Sequence, residues 1–427
     1  MKILHLAMGE GSGAGRAALR LHAGLLKEKA ASSVLTLWKE SDSSSVDKPG
    51  KQTSLLKITQ SKLARVALEK AWGIQETFSV NWTPSLILDQ IKSIQPDVIN
   101  LHWVGWEFLK IEDLQKLNVP IVWTLQDMWP FTGGCHYNSR PGDATGETCD
   151  RYRSTCGICP QIRGHKEHDL SHQVWKRKER AWRDIDLTVV APGSWIAQCA
   201  KESSLFSSRR VETIPFCLDT DRYKPADRSI ARNLFNLPQD KKLVLFGAFS
   251  ATSDERKGFQ LLAPALQKLS KQGLADNAEL VVFGASQPEN PIDLGFKTHY
   301  VGRLRDDITL TLLYSAADVM IVPSVQESFG QTASEALACG TPVVAFNATG
   351  LLDIVDHQQT GYLAKPYEVD DLAAGIDWVL SDSDRLASLR INSRKKAENT
   401  FRLDLQAQSY LSLYRELITV PEPVGAR

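Results

Sequence analysis

Glu327 and Glu335 are separated by seven intervening residues in Pro323-Ser324-Val325-Gln326-Glu327-Ser328-Phe329-Gly330-Gln331-Thr332-Ala333-Ser334-Glu335-Ala336-Leu337-Ala338-Cys339-Gly340-Thr341-Pro342. An apolar run, Val319 to Val322, precedes the segment, and Gly340 and Pro342 close it, so it reads as strand, loop, helix, strand. The start of a helix at the carboxyl end of a parallel strand carries roughly half a positive charge and is a natural seat for phosphate. With a helix starting near Phe329, Glu335 lies about 9 Å along its axis. One carboxylate then reaches a sugar on one side of a diphosphate and the other reaches a ribose on the far side.

Other segments carry charge or polar chemistry at comparable places. Arg256-Lys257-Gly258 follows the strand-like Leu243 to Gly247 and precedes a helical pattern, where a fixed cation can meet charge growing on a departing phosphate. Gly9, Gly11, Gly13 and Gly15 follow a first strand, but the Gly-x-Gly-x-x-Gly spacing fails, because Ala14 or Arg16 falls in the third place. Glu40 lies near the position of an acidic ribose ligand, which keeps a nicotinamide dehydrogenase formally open. Asp219-Thr220-Asp221 offers a carboxylate pair for Mg²⁺, although a turn between prolines explains it without a metal.

Four of the seven cysteines crowd together with the spacing Cys135-x13-Cys149-x6-Cys156-x2-Cys159. They are compatible with a closed structural Zn²⁺ site, free thiols, disulfides or an iron–sulfur cluster. Nothing nearby has the look of an open catalytic zinc centre. Residues 161 to 183 carry seven basic against three acidic residues, with Trp175 and Trp182 interleaved. Such a stretch can lie on an anionic membrane or be a solvated helix face. Trp103, Trp106, Trp123 and Trp129 follow strand ends and are candidates either for stacking on sugar rings or for the core.

These residues need a scaffold, and the chain is long enough to supply one. Its 427 residues, 43% hydrophobic and 23% charged, fit two soluble globular domains. Fifty basic residues balance fifty acidic ones, which removes any global pull toward nucleic acid. No apolar run reaches the roughly 18–20 residues of a membrane span, and the opening Met1 to Met8 is too short and polar for a signal peptide, so the expected compartment is the cytosol. Strand-like runs at Lys2 to Ala7, Val34 to Trp38, Val98 to Leu101, Ile121 to Leu125 and Leu187 to Ala191 form one series. Lys242 to Gly247, Leu280 to Gly284, Val319 to Val322 and Val343 to Phe346 form another. The expectation is α/β, with two Rossmann-like domains: residues 1–215 with a Cys-rich loop at 135–159, and residues 216–400. A last helix, 401–420, packs on either domain and is assigned back to the first; the tail from Val420 to Arg427 is expected to fray. Residues 39–62, rich in Ser and Lys, are expected to be a mobile loop.

The segment around Glu327 and Glu335 resembles the Glu-x7-Glu signature of retaining glycosyltransferase family 4 (group 1), enzymes of the GT-B fold. Val301-Gly302-Arg303-Leu304, Tyr314-Ser315-Ala316-Ala317-Asp318 and Thr360-Gly361-Tyr362-Leu363 share the pattern. The resemblance implies two domains facing a central cleft. It implies that Glu327 and the backbone of Ser328, Phe329 and Gly330 hold the transferred sugar and diphosphate, with Glu335 on the ribose. Lys257 would absorb leaving-group charge. Arg256, Arg303, Leu304 and Gly13 of the glycine loop would complete donor binding. The usual Gly-Arg pair ahead of Lys257-Gly258 is altered, since Ala248 follows Gly247.

The stretch Ile121 to Tyr137, containing Thr124-Leu125-Gln126-Asp127-Met128-Trp129-Pro130-Phe131-Thr132-Gly133-Gly134-Cys135-His136, resembles a subgroup among bacterial polysaccharide-assembly enzymes, cysteines included. That subgroup has His where this chain has Gln126, an amide that can donate a hydrogen bond but carries no proton or charge. Gln126 is the candidate for donor-sugar contact; Asp127, His102 and His136 are candidates to compensate for the missing His, each with a structural role as the alternative reading. The implied reaction transfers a hexose from a nucleotide diphosphate sugar to a carbohydrate or lipid-linked acceptor, with no metal required for catalysis, no nucleic-acid partner, and peripheral contact at the inner face of a membrane as an open reading. The rivals are an inactive sugar-nucleotide-binding relative, a dehydrogenase, and a glycosidase using Glu327 and Glu335 as acid and base.

Overall fold

Lys2–Gly9 (β1) is buried at every position after the first, the pattern of a strand covered on both faces. It belongs to the first of two units in a computed structural model that describes residues 1–74, 77–139, 147–163, 166–247, 254–287, 289 and 291–419. The first unit takes Met1–Pro141, Thr148–Cys217 and Leu403–Arg427; the second takes Leu218–Arg402.

In the first unit β1 is joined by Ala31–Trp38 (β2), Val46–Asp47 (β3), Val98–Leu101 (β4), Ile121–Thr124 (β5), Leu187–Ala191 (β6) and Arg210–Thr213 (β7). They form a seven-stranded sheet in the order β3-β2-β1-β4-β5-β6-β7, and neighbouring strands pair in parallel. The helices are Gly13–Lys27 (α1), Lys51–Trp72 (α2), Leu88–Ile94 (α3), Leu170–Trp182 (α4) and Ser194–Glu202 (α5). Ser12 caps α1 by accepting the Gly15 amide at 3.1 Å. A side chain at Gly15 would come within 1.9 Å of the Gly9 carbonyl oxygen, so the glycine lets helix and strand backbones approach.

Where a mobile loop was expected over 39–62, the chain enters β3 and then the 22-residue α2. The polar composition concealed the helix because it buries little beyond Lys57, Ser61 and Leu68. Lys57 hides its charge by donating to the Glu107 carbonyl at 2.6 Å and to Thr83 Oγ1 at 3.1 Å.

The second unit contains Lys242–Gly247 (β8), Ala278–Phe283 (β9), Thr298–Gly302 (β10), Val319–Val322 (β11), Val343–Phe346 (β12) and Gly361–Ala364 (β13). Its sheet order, β10-β9-β8-β11-β12-β13, repeats the doubly wound plan with parallel pairing throughout. Its helices are Arg228–Leu234 (α6), Phe259–Lys271 (α7), Asp307–Ala316 (α8), Gln331–Ala338 (α9), Val369–Leu380 (α10) and Ser383–Thr400 (α11). The core sits between sheet and helices, with Val244, Phe246, Ile321, Val344 and Phe346 meeting Leu262, Leu266, Leu372 and Ile376.

Leu403–Thr419 (α12) returns to the first unit. There Leu403, Ala407, Tyr410 and Tyr414 join Ile3, Leu21, Leu25, Val98 and Val122 in one buried cluster. Gly24 of α1 makes room for it, since a side chain there would stand 3.1 Å from both Ala407 Cβ and the Leu403 carbonyl oxygen. The tail Val420–Arg427, expected to fray, lies outside the described residues.

Candidate functional site

In a doubly wound sheet, ligands bind beyond the carboxyl ends of the strands where the winding reverses. In the second unit that point falls between β8 and β11, which are hydrogen-bonded neighbours. The loop after β8 supplies Arg256 and Lys257, and the loop after β11 supplies Glu327.

Two glycines let these loops meet. Gly258 has φ +74°, and a Cβ there would lie 1.8 Å from the Pro323 carbonyl oxygen, so only glycine allows the two backbones to come so close. Beside it the Val325 amide donates to the Arg256 carbonyl at 2.8 Å. Gly330, with φ +108°, turns the chain into α9 and faces Leu351 Cδ2, which a Cβ would approach to 2.7 Å.

The charged groups then pair. Lys257 Nζ donates to Glu327 Oε1 at 2.6 Å, and Ser324 Oγ donates to the same oxygen at 3.0 Å. Burial pushes the Glu327 carboxyl up, but Lys257, with Arg256 and Ser324, outweighs it and holds the group below the usual carboxylate range. Arg256 bonds Asp254 through Nη2 at 2.6 Å. The loop holding Glu327 is fixed from behind, its amide donating to Thr349 Oγ1 at 3.1 Å and its carbonyl accepting from Gly350 at 2.9 Å. Ser328 and Phe329 are buried, Phe329 packing edge-on against Phe401.

Helix α9 begins at Gln331, two residues later than expected, because the left-handed Gly330 interrupts the helical geometry. Glu335 is therefore four residues into the helix, about 6 Å along its axis. It is buried and accepts a hydrogen bond at 2.9 Å from the hydroxyl of Tyr314 on α8. Sequence reasoning assigned no role to Tyr314, and no spacing rule links it to Glu335 across two elements. Arg303 is exposed and Leu304 half-exposed, just past β10. Ala248, the altered position ahead of Lys257, lies outside the described residues.

In the first unit the carboxyl ends of β1, β4 and β5 bring the glycine loop, His102 and Gln126 to the same edge of the sheet. Gly13 opens α1. The Gly9–Gly15 loop is braced by Glu10, whose carboxylate accepts the amides of Glu40 at 2.5 Å and Ser41 at 2.6 Å. Glu40 itself is exposed. Gln126 is buried, with Nε2 3.3 Å from His102 Nδ1; His102 Nε2 in turn lies 3.1 Å from His5 Nδ1. Burial drives His102 down to about 3, so it is neutral at physiological pH and acts on Gln126 as a hydrogen-bond partner, not as a charge.

Asp127 is turned into a packed cage: Trp103 Nε1 donates to Oδ2 at 2.6 Å, His136 Nδ1 meets the same oxygen at 2.5 Å, and the Trp129 amide donates to Oδ1 at 2.9 Å. His136 Nε2 faces Ser79 Oγ at 2.8 Å. The Ser79–His136–Asp127 run has the order of a hydrolytic triad, but Ser79 is buried and also accepts the Trp106 amide at 3.1 Å, so it braces the loop and offers no reachable nucleophile. The same packing answers the tryptophan question in part: Trp123 and Trp129 are core residues, while Trp103 and Trp106 are partly covered.

The basic segment 161–183 does not present an apolar face. Trp182 is buried and donates to the Ile111 carbonyl, Trp175 is half-covered and donates to Ser204, and Arg177 is spent on Glu112 and the Val80 and Asn81 carbonyls. Asp219 closes a turn by accepting the Asp221 and Arg222 amides at 3.2 Å each, the non-metal role expected of it. Among the described residues, no helix is long and apolar enough to cross a membrane.

The second unit is similar to known proteins. Residues 227–396 match the glycosyl transferases group 1 family. The group 1 match takes in α6, β8, the Lys257–Glu327 pair, Tyr314, Glu335 and most of α11. The chain is 32% identical over 191 residues to an uncharacterized glycosyltransferase, MJ1607, of Methanocaldococcus jannaschii, covering 43% of this chain and 47% of that one. It is 31% identical over 216 residues to a D-inositol 3-phosphate glycosyltransferase of Rhodococcus opacus, covering 48% of each. The chain thus spans about half the length of these relatives. Among solved structures, sucrose-phosphate synthase from Thermosynechococcus elongatus aligns with a TM-score of 0.69 at 19% identity over 98% of this chain and 99% of that one. HepE of Anabaena, solved with UDP and glucose, aligns with a TM-score of 0.60 at 18% identity over 97% and 99%. These likenesses show the fold: two parallel-sheet α/β units of the GT-B type.

Proposed function

We propose that the chain is a retaining family 4 glycosyltransferase that moves a hexose from a nucleotide diphosphate sugar to an acceptor hydroxyl, in assembly of a bacterial polysaccharide or glycoconjugate. The observation that carries this reading is the Lys257–Glu327 pair at the winding reversal of the group 1 segment, with buried Glu335 four residues into the helix that follows.

In this reading the positive end of α9 and Lys257 receive the diphosphate. Glu327 accepts from hydroxyls of the sugar, and Glu335 from those of the ribose. The bond between the anomeric carbon and the phosphate oxygen breaks, and the acceptor oxygen bonds to that carbon on the same face. Its proton passes to the departing diphosphate oxygen. Catalysis then rests on position and on cations aimed at developing charge. In the first unit Gln126, held by His102, is the group available as a hydrogen-bond donor. The UDP and glucose found with HepE support a nucleoside diphosphate donor for this chain.

A glycosidase fits less well, because Glu327 is held below the usual carboxylate range by Lys257 and Glu335 is buried and occupied by the Tyr314 hydroxyl. The glycine loop with exposed Glu40 gives no support to a dehydrogenase.

The test is to incubate the protein with UDP-, GDP-, ADP- and dTDP-sugars and a panel of carbohydrate and lipid-linked acceptors. Nucleoside diphosphate release and the anomeric configuration of the product are then followed by NMR. Transfer with retained configuration is expected. Inversion would overturn the retaining assignment, and free sugar released from a non-nucleotide glycoside would overturn the transferase.

A further inference from the structure

Cys135, Cys149, Cys156 and Cys159 lie on a stretch whose described residues form a one-turn helix at Arg151–Arg153 and isolated bridges pairing Phe78 with Cys135 and Ser139 with Thr148. The four side chains nevertheless line one small pocket, together with Thr132, Arg151 and Tyr152. All four are unbridged, and Cys156 and Cys159 are buried. Cys135 and Cys159 are the most strongly interacting pair of thiols, and Cys149 and Cys156 lie within electrostatic reach of Cys135.

Backbone amides stand at three of the sulfurs, although burial raises the Cys149 and Cys156 thiols and the Cys135 neighbour together with burial raises that of Cys159. The Gly133 amide donates to Cys156 Sγ at 3.1 Å. The Arg151 amide is directed at Cys149 and the Gln161 amide at Cys159, in each case from two residues further along the chain. A thiol is a weak acceptor, whereas a metal-bound thiolate is a strong one, oriented by such outer contacts. Lys178 of α4 is wholly buried beside them; its Nζ donates to the Trp129 carbonyl and, at 3.0 Å, to that of Thr132, and sits 3.9 Å from the Trp129 ring centroid. It lies within electrostatic reach of Cys135 and Cys156, and burial lowers its pKa to about 7 against the opposing pull of those two sulfurs. Four thiolates around a divalent cation leave net negative charge, which a buried ammonium offsets.

We propose that Cys135, Cys149, Cys156 and Cys159 bind a structural zinc ion as a closed tetrathiolate that fastens this loop to the core of the first unit. Among the described residues no three His, Cys, Asp or Glu side chains already stand as a set that could hold an ion. Binding therefore draws the sulfurs in to about 2.3 Å from the metal. Each thiol gives up its proton to solvent as its sulfur–zinc bond forms, with no change of oxidation state.

The experiment is elemental analysis of the full chain, purified without chelators or metal-affinity resin, followed by mercurial titration with a zinc-sensitive dye and by growth in cobalt. About one zinc per chain is expected, released in step with thiol modification, and the cobalt protein should show sulfur-to-metal charge transfer with tetrahedral visible bands. Cys159→Ser should lower bound zinc at least tenfold, while Cys339→Ser, in the second unit, should leave it unchanged. If Cys159→Ser does not fold, the wild-type stoichiometry and cobalt spectrum still decide. Zinc near zero with every cysteine titrating as a thiol, a disulfide within the cluster by mass spectrometry, or iron with labile sulfide would each overturn the proposal. None of these readouts depends on the glycosyltransferase reading.

Discussion

Lys257 Nζ lies 2.6 Å from Glu327 Oε1, and the two residues arrive on loops that leave adjacent parallel strands, β8 and β11. The pairing places a cation and an anion at the reversal of the winding, the part of a doubly wound sheet where ligands gather. It also ties the ionisation of Glu327 to the presence of Lys257.

Lys257→Ala should lower kcat by roughly 10²–10³, the usual loss when one group aimed at developing charge is removed. It should also let the Glu327 carboxyl rise, moving the acid limb of the pH–rate profile to higher pH. Steady-state rates across pH check both, and an unmoved acid limb would separate Glu327 from the rate.

Glu335→Gln should weaken nucleotide binding by about 1–3 kcal/mol, because a ribose hydroxyl loses a charged acceptor. Tyr314→Phe should destabilise the second unit by a similar ~1–3 kcal/mol, since it takes one donor from a buried carboxylate. Calorimetry with the nucleotide and urea unfolding distinguish the two effects.

Gly258→Ala should cost about 1–3 kcal/mol of stability through the left-handed backbone alone, and more from the clash with Pro323. Because the same contact brings Lys257 to Glu327, donor affinity should fall with it. Unfolding and binding measured on the same preparation would show whether the two losses go together.

Asp318 anchors three guanidinium groups: Oδ1 accepts from Arg228 at 2.6 Å and Arg390 at 3.2 Å, and Oδ2 from Arg232 at 2.8 Å. Burial pushes its carboxyl up, yet the arginines hold it below the ordinary range. A depressed folded pKa means stability that is fully present above the unfolded value, about 3.9, and lost as pH falls through the folded one. Acid unfolding below about pH 4 should therefore be steep. It should be shallower in Asp318→Asn, which at neutral pH should already be some 3–5 kcal/mol less stable. Circular dichroism against pH follows both.

The strands of the two sheets stand out in the sequence because parallel strands buried on both faces read as continuous apolar runs. Val98–Leu101, Leu187–Ala191, Lys242–Gly247, Val319–Val322 and Val343–Phe346 lie where the runs predict. Helix α2 escaped, because a largely solvated helix has no apolar stripe to announce it. Around the site, Glu327 and Lys257 could be singled out from their places after strands, but their mutual contact could not. It depends on Gly258 touching Pro323, a relation 65 residues apart in sequence that only the folded sheet creates. Asp127 could be read from its position either as a compensating group or as structural, and the fold commits it to Trp103, His136 and the Trp129 amide, partners that its place in the sequence does not reveal.

The central claim, that the second unit grips an activated sugar by its nucleotide, is tested most directly by thermal unfolding of the full chain with UDP, GDP, ADP and dTDP and their hexose derivatives. At least one series should raise the Tm, by the equivalent of about 2.7 kcal/mol when ligand reaches a hundred times its Kd, and Glu335→Gln should blunt that rise. An unchanged Tm with every nucleotide, in a protein that still unfolds cooperatively, would contradict it.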